Sequence, residues 1–154
     1  MMGSLRVQPE GVYRTDKGFM VALRSEDDGK VLPIFMSGNQ AQSIQRGLSG
    51  KEPPRPLTHD IFLQIMGDQG LTVESVTVDD LIGNTFTAEL RLARGGRTFP
   101  YDVRPSDGIA LAVRMDADIY VSKVVMDRAG KNVEGSVEDP RELALRRFED
   151  KSQE

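Results

Sequence analysis

A chain of 154 residues, 38% hydrophobic and 29% charged, carries enough apolar material for one core and is read as a single domain. Its 24 acidic against 20 basic residues leave a formal net charge of −4, which does not support tight, non-specific binding of nucleic acid, although a local basic patch stays open. With no cysteine and a single histidine, His59, the chain excludes disulfides, thiolate metal sites, cysteine nucleophiles and any site built on two histidines.

The segment from Leu5 to Met36 predicts three short strands, over 6–13, 19–24 and 31–35, with turn signals at Asp16-Lys17-Gly18 and Asp27-Asp28-Gly29 between them. Ala41, Ile44 and Leu48 recur at helical spacing and predict a first helix over 39–48, ended by Gly50. Three prolines in Glu52-Pro53-Pro54-Arg55-Pro56 fix φ and remove donors, so this stretch reads as an extended surface connector. Thr58 is the expected N-cap of a second helix through Ile61, Phe62, Ile65 and Met66, which places His59 and Asp60 in its first turn. A meander follows over 71–82, 85–93 and 98–104, with turns at Gly83-Asn84 and Gly95-Gly96. Phe86, Ala88, Leu90 and Leu92 alternate as a sheet with one buried face requires.

A third helix is expected from Ser106, then a short strand over 118–121 and a helical turn over 124–126. Residues 130–139 read as a loop, and 140–150 as a charged terminal helix with Leu143, Leu145 and Phe148 able to dock. The expected division is therefore a domain over 1–128 followed by a linker and charged helix or tail over 129–154. This element order predicts an α+β fold, a compact roll of mostly antiparallel or mixed sheet packed with two to three helices. Phe19, Phe35, Phe62 and Phe86 lie on apolar periodic faces and are assigned to core, not to base stacking. Gly67-Asp68-Gln69-Gly70 follows a helix instead of opening one, so it fails as a phosphate loop. No apolar run reaches the roughly 18 residues of a membrane span, and the first residues lack a signal-peptide apolar region. A cytoplasmic protein with no membrane partner is expected.

The most informative run is Asp102-Val103-Arg104-Pro105-Ser106-Asp107-Gly108-Ile109-Ala110-Leu111-Ala112. It sets two carboxylates and a guanidinium at a strand-to-helix junction. Alternation puts Phe99, Tyr101 and Val103 on one face and Asp102 and Arg104 on the other, close enough for an ion pair. Pro105 ends the ladder, and Ser106 is the expected cap of the helix, with Asp107 in its first turn. Two helix starts, at Thr58-His59-Asp60 and at Ser106-Asp107-Gly108, thus share a hydroxyl cap and a first-turn acid. One account is structural, because a cap is worth about 1 kcal/mol and an acid at a helix N-terminus interacts favourably with the dipole.

The functional account gathers Asp60, Asp102 and Asp107 around Mg²⁺ or Mn²⁺, which take hard oxygen ligands and can polarise a phosphodiester. His59 would then act as a general base or contact phosphate, and Arg55 and Arg104 would hold phosphate. The arginines 91, 94 and 97, and 141, 146 and 147, form the best basic clusters and read as solvated surface.

Taken in order, Leu32-Pro33-Ile34, Pro54-Arg55-Pro56-Leu57-Thr58-His59-Asp60 and the run 102–112 resemble the bifunctional nuclease domain family, over about residues 5–126. The resemblance implies a compact α+β roll, self-association, and, from the plant members, degradation of both RNA and DNA. It also places Arg55, His59, Asp60, Asp102, Arg104, Ser106 and Asp107 on the family's signature positions. Two departures stand out. Gln40 precedes Ala41 where the family commonly has Glu, and Gly108 follows Asp107 where it commonly has Ala. The leading expectation is a metal-dependent nuclease with Asp60, Asp102 and Asp107 as ligands. Its alternative is a non-catalytic, homo-oligomeric binding or regulatory domain whose signature residues are caps and ion pairs. A third is a small anionic ligand at the two helix N-termini.

Overall fold

The computed structural model describes residues 3–133, 140, 141, 146 and 147. Strands β1 (Ser4–Thr15), β2 (Gly18–Ser25) and β3 (Val31–Met36) form one antiparallel meander. Strands β4 (Thr72–Ile82), β5 (Thr85–Arg94) and β6 (Arg97–Val103) form a second. Between the two meanders lies β7 (Asp118–Ser122), antiparallel to β1 and parallel to β4, which gives one mixed sheet in the order β3-β2-β1-β7-β4-β5-β6. The expected α+β roll is therefore present, with four helices in place of two to three: α1 (Gly38–Ser49), α2 (Thr58–Asp68), α3 (Pro105–Met115) and α4 (Lys123–Ala129).

The core explains the layering. Val7, Leu23, Leu32 and Ile34 from the first meander and Val76, Val78, Ala88 and Leu90 from the second turn their buried faces toward Ile44 of α1 and Ile109 to Ala112 of α3. The two helices approach closely because glycine stands at the contacts: a Cβ on Gly47 would lie 2.5 Å from Val113 Cγ2, and one on Gly108 would lie 2.8 Å from Val76 Cγ1. Gly108, one of the two family departures, is thus a packing residue between α3 and β4.

Several boundaries differ from expectation for local reasons. Helix α1 is capped by Ser37, whose Oγ accepts the Gln40 N–H at 3.4 Å while Gln40 Oε1 accepts the Ser37 N–H at 2.9 Å. This is a reciprocal capping box, and a glutamate at position 40 would fill the same role. Leu57, not Thr58, is the N-cap of α2, and the Asp60 carboxylate accepts the Leu57 N–H at 2.9 Å. Arg104, not Ser106, is the N-cap of α3, because Pro105 at the first helical position already has helical φ and needs no donor.

Two of the four phenylalanines assigned to core are not there. Phe19 and Phe86 pack against the core, but Phe35 on the sheet-edge strand β3 is 50% exposed and Phe62 on α2 is 42% exposed. At the C-terminal end, Lys131 bridges to Val31, and Arg146–Arg147 forms a two-residue strand, β8, against Tyr13 and Arg14, where a helix was expected. The remainder of that expected helix, with Leu143, Leu145 and Phe148, lies outside the described residues. Among the described residues no helix is long and apolar enough to cross a membrane.

Candidate functional site

The N-termini of α2 and α3 converge on the start of α1, and they bring three sequence-predicted residues together. His59, one residue into α2, donates or accepts at both ring nitrogens: Nδ1 lies 2.6 Å from Ser43 Oγ on α1, and Nε2 lies 3.0 Å from Asp107 Oδ1 on α3. The other oxygen of Asp107 accepts from Arg104 Nε at 2.9 Å. Burial alone would raise the Asp107 carboxyl, but hydrogen bonds from Arg104 and His59 outweigh it and hold the group below its ordinary range.

A residue outside the signature completes the arrangement. Arg114, at the far end of α3 with only 8% of its side chain exposed, donates from Nε to Asp60 Oδ1 at 2.8 Å and from Nη2 to Ser43 Oγ at 3.1 Å. Its Nη1 is taken up by the carbonyls of Ser43 and Ala110. Asp60 is consequently a partner of Arg114, separated from His59 by Arg114 and Ser43, and its carboxyl too sits below its ordinary range: burial pushes it up, and the Arg114 and Leu57 donors more than offset that. A continuous chain of hydrogen bonds runs Asp60–Arg114–Ser43–His59–Asp107–Arg104.

The remaining signature residues stand apart from this chain. Asp102 stays exposed on β6, in register with Glu89 on β5. The expected Asp102–Arg104 pair is replaced by Arg104–Asp107, because the strand ends at Val103 and Arg104 is the N-cap of α3, three residues before Asp107 in the first turn. Arg55 is exposed in the proline-rich connector. Ser106 is 6% exposed, and its Oγ is buried with no hydrogen-bond partner.

This donor set does not fit a hard divalent ion held by one chain. Among the described residues no three carboxylate or imidazole groups come together, and both oxygens of Asp60 and of Asp107 are already engaged, one oxygen of each by a guanidinium that would repel a cation. What the arrangement offers is an imidazole flanked by a hydroxyl and a carboxylate. A cavity of about 380 Å³ opens on it, walled by Gln40, Ser43, Thr58, His59, Arg104 and Asp107 among others.

The model of the bifunctional nuclease domain matches residues 21–134, most of the chain and all of the site. The chain belongs to the bifunctional nuclease domain family. An uncharacterized protein of Mycobacterium tuberculosis is 32% identical over 148 residues, covering 96% of this chain and 88% of its own length. Bifunctional nuclease 1 of Arabidopsis thaliana is 26% identical over 117 residues, and bifunctional nuclease 2 of Oryza sativa subsp. japonica is 27% identical over 107 residues. Those matches cover 73% and 67% of this chain but only 36% and 33% of the plant proteins, so the family member described here spans about a third of each.

Sequence reasoning missed Arg114 and Ser43. Arg114 carried a readable signal, an arginine set in the apolar stretch Leu111-Ala112-Val113 seven residues after Asp107, two turns along the same helix face. Ser43 carried none, since only the fold brings α1 against α2.

Proposed function

We propose that this protein hydrolyses phosphodiester bonds of nucleic acid at the cavity beside His59, by acid–base chemistry of the chain's own residues. The observation that carries the reading is the imidazole of His59, held between Ser43 and Asp107 in a cavity that also presents Arg104. Asp107 favours the tautomer with the proton on Nε2, so Nδ1 is the basic atom and accepts the Ser43 hydroxyl. A serine hydroxyl has one donor and two acceptor sites; one acceptor site takes Arg114 Nη2, and the other is open to a water. When that water attacks phosphorus, its proton passes to Ser43 Oγ and the Ser43 proton passes to Nδ1. The P–O bond to the leaving group breaks, Arg104 compensates the charge on the phosphoryl oxygens, and the imidazolium, stabilised by Asp107, returns the proton to the leaving alkoxide.

Rigorously purified His59→Ala should lose about 10²- to 10⁴-fold in turnover of single-stranded DNA or RNA, with an unchanged circular dichroism spectrum. Activity should persist in EDTA. Retained activity in His59→Ala would expose a contaminating nuclease, and loss in EDTA restored by Mg²⁺ or Mn²⁺ would replace this route with a metal-dependent one.

A second reading, a self-associating binding or regulatory domain, is favoured by the same pairing: Asp60 with Arg114, and Asp107 with His59 and Arg104, are held by one another, as in a structural network. On that reading Asp107→Asn lowers the melting temperature and there is no turnover to lose.

A further inference from the structure

A second cavity, of about 240 Å³, adjoins the first and shares Gln40 and Arg104 with it. Its apolar wall is Ile34 and Met36 of β3 and Phe86 of β5, its rim includes Asn84 in the β4–β5 turn, and its far side is the start of α3 with Arg104 and Ser106. Two independent features point to a ligand there. The Ser106 hydroxyl is buried without any partner, and such a group is costly to leave unmade. The first turn of α3, an 11-residue helix, supplies the Ser106 amide, which has no acceptor within the helix. An oxyanion against this wall would offer an acceptor to the Ser106 hydroxyl and amide, beside the Arg104 guanidinium. No carboxylate lines this cavity among the described residues, and Arg104, paired with Asp107 through Nε, stands in its wall.

We propose that this second cavity is a nucleoside-phosphate subsite. A phosphate of single-stranded nucleic acid sits on the Ser106 hydroxyl and amide and on Arg104, and its unstacked base lies on Phe86, Ile34 and Met36 with Asn84 at the base edge. The shared Arg104 then aligns the neighbouring phosphodiester with His59. A base-paired strand cannot present a base in this way, so the substrate class is single-stranded. The subsite rests on the hydrolytic reading above only for its role, since binding can be measured without turnover.

The test is fluorescence anisotropy of fluorescein-labelled oligothymidylate of four nucleotides and of its abasic counterpart. Base–aromatic stacking of ordinary strength makes the abasic strand bind about tenfold or more weakly, with a similar loss for Phe86→Leu, which keeps the core filled. Ser106→Ala gives the sharper result: removing an unpartnered hydroxyl leaves the melting temperature unchanged or raised, yet weakens the oligonucleotide. The chain has no tryptophan, so Phe86→Trp places a lone indole in the cavity, and its emission should be quenched on binding. Equal affinity for the abasic strand together with unaltered binding by Phe86→Leu and Ser106→Ala would overturn the subsite, whatever the turnover. Base-dependent binding without hydrolysis would keep the subsite and remove the hydrolytic reading.

Discussion

Arg114 decides whether the hydrogen-bonded chain at the site is a unit or a coincidence. It is nearly buried, it carries a charge, and its Nε, Nη1 and Nη2 all donate, to Asp60, Ser43 and Ala110. Arg114→Met keeps the volume and removes the charge, leaving Asp60 without its cation. Because Asp60 is still a quarter exposed, the expected loss is about 3 kcal/mol, the low end for breaking a buried pair, as read by urea denaturation. A change below about half a kcal/mol, the range of an exposed pair, would mark the contacts as incidental. Asp60 and Asp107 add a pH dependence of defined sign. Both carboxyls are held below their ordinary value in the folded state, so their contribution is present above the unfolded pKa and is lost as pH falls through the folded one. Stability should therefore fall below about pH 4, and Asp60→Asn with Asp107→Asn should flatten that fall; an unchanged acid slope would contradict the assignment.

At the scale of elements, the three-helix contact depends on a glycine. A Cβ at Gly47 would stand 2.5 Å from Val113 Cγ2 and 3.1 Å from Arg114 Nη1, so Gly47→Ala must push α1 off α3 and disturb the guanidinium. Overpacking costs about 1–3 kcal/mol, against about 1 kcal/mol gained from helix propensity, and the net expectation is a lowered melting temperature with weakened site geometry. A raised melting temperature would show that α1 can shift freely. The strands of both meanders were legible to within a residue or two, because alternation and glycine turns are local signals. The insertion of β7 between β1 and β4 was not, since alternation tells which face is buried and says nothing of which strand lies alongside. The site shows the same division. His59, Asp107 and Arg104 could be read from helix starts, whereas Asp60's diversion to Arg114 and Asp102's isolation on β6 depend on how α3 lies over the sheet.

Across the whole molecule, α2 is the helix, among the described residues, that its own chain covers least. Met66 is its one buried residue, while Ile61, Phe62 and Ile65 are 41%, 42% and 57% exposed on neighbouring positions of one face. An apolar face of uncharged side chains suits another apolar surface better than a charged partner, and a second copy of the chain presents one. Helix α2 also carries His59 and Asp60, so the contact that covers it would secure the imidazole against Ser43 and Asp107. We propose that two copies associate through α2. Sedimentation velocity should give a dimer or larger species for the wild type and a monomer for Phe62→Glu with Ile65→Glu. Because both substituted side chains already face solvent, the variant should keep its far-ultraviolet circular dichroism. Its turnover should nevertheless fall, as α2 loses the support that holds His59 in place. A wild type that sediments as a monomer would remove the α2 contact, and a monomeric variant with full turnover would show that α2 holds His59 without help.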